Sequence, residues 1–219
     1  MFKYLFQIFI SLVCTIFSAQ LFAQSPLPRV HLVTHSSVED REFIYELKCM
    51  LEKVFTVEIV LYDTHNLDIS SAYRANRTQY YASELLNILS RTKATGELPD
   101  DGYIFYIIEP DMYDNSYNYL FGLMNFKTDI NVISMARLRH QDDGHTTDRM
   151  FRLIAKNIAK FNGHRPSGKC FMGFSNSLGE LDSRAVRLCE PDLGALQSMG
   201  LVRLEIKPNT VMKGCLLIS

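Results

Sequence analysis

Six histidines, five cysteines and 24 aspartates and glutamates are what this 219-residue chain offers for holding a metal or moving a proton. The densest grouping is His140, Asp142, Asp143 and His145, a set of nitrogen and oxygen donors close together in the chain. Such donors bind divalent transition metals when a rigid element fixes them. Here they fall in a polar stretch that reads as a solvated loop between a strand and a helix. His31 and His35 flank the end of a strand, and His65 lies in a polar loop. Gly163, Gly168 and Lys169 match part of a phosphate-binding loop, but Cys170 stands where Ser or Thr should bind magnesium, and a helical pattern precedes the match instead of a strand. Ser175 misses the nucleophile elbow because Ser177 stands where glycine is required.

The elements that must carry these residues follow from hydrophobic spacing. Val30 to Thr34 has strand character, Val38 to Phe55 has helical spacing through Phe43, Leu47, Met50, Leu51 and Val54, and Thr56 to Tyr62 alternates as a strand. Gln79 to Leu89 resumes helical spacing. Tyr103 to Ile108 is a continuous apolar run, the mark of a strand covered on both faces. Tyr117 to Met124 and Ile130 to Met135 read as further strands, and Asp148 to Asn162 as a helix; beyond Gly163 the chain reads as irregular. The fold class is α/β.

Several segments, taken in order, carry more than their spacing. Asn76 to Tyr80, Glu109 to Tyr113, Asn118 to Gly122, Val132 to Arg139 and Cys170 to Leu178 together resemble the archaemetzincins, zinc metallopeptidases of the metzincin clan. The resemblance implies a twisted, mixed, mostly parallel sheet with packed helices and an irregular C-terminal subdomain. It also implies the signature His-Glu-x-x-His-x-x-Gly-x-x-His-Cys. Two histidines four residues apart share one helical face, a third closes the site after a glycine turn, and the zinc-bound water gives its proton to the glutamate.

Counted back from Cys170, the third histidine falls on His164, which is present. The two helical histidines fall on Ile154 and Ile158, the glutamate on Ala155, the glycine on Phe161 and the cysteine on Arg165. Hydrocarbon cannot coordinate zinc, and one imidazole does not hold it at useful affinity. The family's second, four-cysteine site keeps Cys170 and Cys189, with Arg165 and Asp192 in the other places. These two cysteines are either a vestigial metal site or a disulfide. A bridge between them would stabilise the fold by about 3 kcal/mol in the chain-entropy model. Met172 is the residue expected beneath the former metal.

Composition bounds the rest. Apolar residues make up 47% and charged residues 21%, with a net charge of -1, an ordinary globular balance without the basic stripe of a nucleic-acid binder. Lys3 followed by an apolar run to Ala23 reads as a signal peptide over residues 1–23, with one domain over 24–219. The protein is expected to be exported, periplasmic or secreted, and membrane-bound only where that leader stays uncleaved. Two functional expectations follow. One is an inactive pseudopeptidase, monomeric or weakly associated, with no cofactor and a peptide or protein ligand. The other is a working zinc peptidase in which His164 cooperates with His140 or His145.

Overall fold

The computed structural model describes residues 27–39, 41–62, 67–167, 172–173, 175–184, 186–208 and 210–218. The leader, His65, Gly168, Lys169 and Cys170 lie outside the described residues. A five-stranded sheet forms the centre, with β1 (Arg29–Thr34), β2 (Glu58–Tyr62), β5 (Tyr103–Ile108), β8 (Ile130–Ser134) and β7 (Gly122–Asn125) in the order β2-β1-β5-β8-β7. The first four run parallel, while β7 pairs antiparallel to β8 and ends the sheet. A small sheet joins β3 (Tyr73–Arg74), β4 (Gln79–Tyr81) and β6 (Met112–Tyr113).

Strand alternation separates two cores. Phe105, Ile107 and Ile133 face α1 (Glu42–Val54) and α3 (Asp143–Phe161), whereas Ile104, Tyr106, Ile108 and Val132 face α2 (Ala82–Ala94). Every residue of β5 after Tyr103 is buried, as the unbroken apolar run predicts for a doubly covered strand.

Some boundaries differ from the expectations above. Val38 is buried but precedes its helix, which begins at Glu42. Gln79 to Tyr81 pair as β4 before the helix starts, because Tyr80 and Tyr81 register with Met112 and Tyr113. Of the expected 117–124 strand, Gly122 to Met124 register with β8, and the strand runs on to Asn125; the residues before Gly122 line the space beside it. His31 lies inside β1, with Nε2 2.8 Å from the Asp101 carbonyl oxygen. The C-terminal part holds α4 (Leu178–Asp182), α5 (Glu190–Ser198) and the hairpin of β9 (Val211–Lys213) and β10 (Leu216–Ile218).

Two buried arginines of α3 hold this C-terminal part. The Arg149 guanidinium donates to both Asp182 oxygens at 2.8 and 2.5 Å and to the Leu138 carbonyl at 2.9 Å. Arg152 donates to the Leu181 carbonyl at 2.7 Å. Removing one partner of a buried pair strands the other charge, and Asp182 is 34% exposed, so Arg149→Met is expected to cost about 3 kcal/mol in urea unfolding, the low end for such pairs. Arg149 holds the Asp182 carboxyl below the usual aspartate range. The folded-state value is therefore the depressed one. Its stabilisation is complete above the ordinary aspartate pKa and is lost as pH falls through the lowered value, and the variant is expected to lose that part of the acid sensitivity.

Candidate functional site

Helix α3 sets the site. Its N-cap is Asp142, whose Oδ1 accepts from the Gly144 N–H at 3.0 Å, and its buried face runs through Met150, Phe151, Ile154, Ala155 and Ile158. Ile154, Ala155 and Ile158 are all 0% exposed and share one buried cluster with Met172. The three residues at the places that the resemblance gives to two ligands and a general base are therefore hydrophobic core, as is Met172.

The end of the helix differs from the family pattern as well. Phe161 is still helical, and its ring stacks on Tyr103 at 4.8 Å and 5°. The left-handed turn falls on Gly163 (φ 82°) instead. The Gly163 N–H bonds the Lys160 carbonyl and the His164 N–H bonds the Ala159 carbonyl, both at 3.0 Å, which is the Schellman arrangement. Glycine takes that φ without the Cβ penalty other residues meet. The turn therefore comes two residues later than position 161, the place of the family's glycine.

His164, displaced with the turn, contacts a carboxylate. Its Nε2 lies 3.0 Å from Asp192 Oδ1, and Asp192, 2% exposed, also accepts from the Ser167 N–H at 2.8 Å and the Ser167 hydroxyl at 3.1 Å. Asp192 sits in the first turn of α5, where the helix dipole favours a negative charge. The surviving third ligand thus bonds a residue standing at one place of the family's second metal site. Cys189 is disulfide-bonded to a residue outside the described ones, so its thiolate is not free for a metal.

His140 and His145 lie at the opposite end of α3. Their rings are 4.6 Å apart; His145 Nδ1 is 2.9 Å from Asp142 Oδ2, and the Asp142 N–H donates to His140 Nδ1 at 3.0 Å. This exposed cluster spans the solvated connection between β8 and α3 that the sequence suggested and reaches into the first turn of the helix, with Asp142 as its N-cap. His145 and the end of the helix are separated by about 24 Å at 1.5 Å per residue, so neither histidine converges with His164. Among the described residues no group of three or more His, Cys, Asp or Glu is placed to hold a metal. The family's zinc centre does not fit the donors present.

A cleft remains beside the helix. It has a volume of about 530 Å³ and lies between residues 116–124 on one side and Leu153, Lys156, Asn157 and Lys160 of α3 on the other, with Asn131 and Ile133 of β8 also lining it. Tyr119 reaches across it, its hydroxyl donating to the Asn176 carbonyl at 3.3 Å, and the Arg137 guanidinium stacks 4.2 Å from the Tyr119 ring. Burial, then the neighbouring charges of Lys160 and Arg184, pull the Lys156 ammonium down to about 8. The sequence reading passed over Lys156, Asn157 and Lys160. The signal available was their place on α3, beside the 154/158 stripe and not within it.

A buried helix beside the antiparallel edge strand of a mostly parallel sheet is the frame that the sequence resemblance implies. The sequence profile of peptidase family M54 matches residues 33–198, and the chain belongs to that family, the archaemetzincins. An archaemetzincin of Nanoarchaeum equitans is 33% identical over 131 residues, covering 57% of this chain and 66% of the relative. One of Pyrococcus horikoshii is 31% identical over 140 residues, covering 58% and 70%. The archaemetzincin of Methanopyrus kandleri superposes with a TM-score of 0.66 at 21% identity over 81% of this chain and 97% of its own. A zinc-dependent peptidase from Methanocorpusculum labreanum gives 0.61 at 22% identity over 76% and 99%. Those two likenesses speak for the fold.

Proposed function

We propose that this chain is a catalytically inactive archaemetzincin, exported from the cytosol, whose cleft binds a peptide segment of a partner. One observation carries the reading: Ile154, Ala155 and Ile158, fully buried, occupy the places of two ligands and the base. The cleft itself supports ligand binding. Strand β7 ends the sheet, and among the described residues no strand pairs with its outer side, so an extended peptide can add there by backbone hydrogen bonds while side chains enter the cleft. Export is supported by the leader-like N-terminus and by the Cys49–Cys215 disulfide, a bond at home in an oxidising compartment.

The test is a peptide library incubated with the purified protein, with added zinc and with chelator, read by mass spectrometry for cleavage and by pull-down for retention. Peptides are expected to be retained and left intact in both conditions. Chelator-sensitive cleavage abolished by His164→Ala would overturn the proposal.

A further inference from the structure

Lys156 and Lys160 stand one turn apart on α3, and both line the cleft under β7. Both also line an adjoining hollow of about 650 Å³, where His164 and Arg165 join them against Phe126 and Met172. Four basic side chains therefore border the two connected spaces. Among the described residues neither lining includes an aspartate or a glutamate. Asp192, which contacts His164 from outside the lining, is also bonded to Ser167. In a chain with 24 acidic and 23 basic residues this one-signed lining is a local feature, and low-dielectric walls focus its field into the cleft.

A second observation comes from the polar atoms that the fold leaves unsatisfied. Asn131 is 1% exposed; its Nδ2 donates to the Leu123 carbonyl at 3.0 Å, but Oδ1, beside the cleft, has no partner among the described residues. The buried Ser175 hydroxyl, on the opposite lining, is in the same condition. Leaving such an atom unmade costs about 1–3 kcal/mol, which a ligand that supplies the missing bond returns. An N–H suits Asn131 Oδ1, and an acceptor suits the Ser175 hydroxyl.

We infer that the cleft is selective for acidic peptides, a carboxylate lying against Lys156 and Lys160 while a backbone N–H meets Asn131. This deepens the peptide-binding reading above and rests on it. The positive charges of Lys160 and Arg184 act on Lys156, and an incoming carboxylate is attracted by all three. The carboxylate can come from a peptide C-terminus or from an Asp or Glu side chain, and the chemistry at the lysines is the same.

The experiment measures fluorescence anisotropy of the mature protein with fluorescein-labelled octapeptides of one alanine-rich background. One carries an internal glutamate pair and an amidated end, one has only a free C-terminal carboxylate, one is neutral and amidated, and one carries a lysine pair. At least one acidic peptide is expected to bind tenfold or more tighter than the neutral one, and the lysine peptide weaker than it. The tighter of the two acidic peptides identifies the source of the carboxylate. In Lys156→Gln/Lys160→Gln the acidic preference is expected to vanish while the neutral peptide keeps its affinity. Should that variant not fold, Lys160→Gln alone, together with loss of the wild-type preference between 50 and 500 mM salt (about a threefold fall in the Debye length) carries the test. Binding of all four peptides with equal affinity, or a preference that survives both lysine variants and salt, overturns this inference and leaves peptide binding standing. Failure of every peptide to bind overturns both.

Discussion

A triple variant restoring the family's residues, Ile154→His, Ala155→Glu and Ile158→His, is expected to melt far below the wild type and to bind no zinc. The three positions are 0% exposed in a continuous core. Each isoleucine-to-histidine change forfeits about 1.5–3 kcal/mol of apolar burial and adds about 1–3 kcal/mol for an imidazole without a partner. The glutamate adds several more, since a buried carboxylate without a counter-charge is costlier still. The sum is on the order of 8 kcal/mol, comparable with the whole stability of an ordinary domain.

Metal binding could recover this only if a third ligand met the other two. His164 is held instead by Asp192, beyond a turn that Gly163 makes two residues late. Circular dichroism melts and elemental zinc content read the outcome. A folded variant retaining one zinc per chain after dialysis would show that the frame still closes around a metal, and the geometric argument would fall.

The second large effect concerns the disulfide between Cys49 of α1 and Cys215 in the turn between β9 and β10, at a sequence separation of 166 and with Cα atoms 5.7 Å apart. Cross-linking so long a loop removes much of the unfolded chain's freedom, about 5 kcal/mol in the chain-entropy model. Close packing reinforces the bond. Gly214 (φ 54°) lies against α1 so tightly that a Cβ there would come within 2.6 Å of Glu46 Oε1. Replacing both cysteines by serine is therefore expected to lower the unfolding free energy by about 5 kcal/mol in guanidinium titrations. Wild-type protein in reductant should lose at least as much, and the variant should lose only what the remaining disulfide of Cys189 contributes. A loss below about 1 kcal/mol would mean that the hairpin is held by other contacts.

How far these features could be read in advance varied with their range along the chain. The central parallel strand was legible because β5 is apolar at every position, and only double coverage makes such a run stable. The α3 helix was legible too from its apolar spacing, and Ile154, Ala155 and Ile158, singled out by their count from Cys170, lie on its buried face. Residues 117–121 misled because aromatic residues favour strands, yet their backbone turns through the Asp114–Tyr117 bridge instead of pairing with β8. The cleft's chemistry was hidden for a different reason. Lys156 and Lys160 look like solvated charges until the packing of α3 fixes where that face points. The Cys49–Cys215 pairing was equally out of reach, because local spacing carries no information about a contact that spans nearly the whole domain.

The same long-range bond has a consequence for biogenesis. Of Cys49, Cys170, Cys189 and Cys215, Cys49 is synthesised first and Cys215 last. An oxidant acting on the chain as it emerges would meet Cys49 and Cys170 together well before the proper mate arrives. Correct maturation therefore demands either that Cys49 stay reduced until the final hairpin docks, or that a thiol catalyst reshuffle an early mistake.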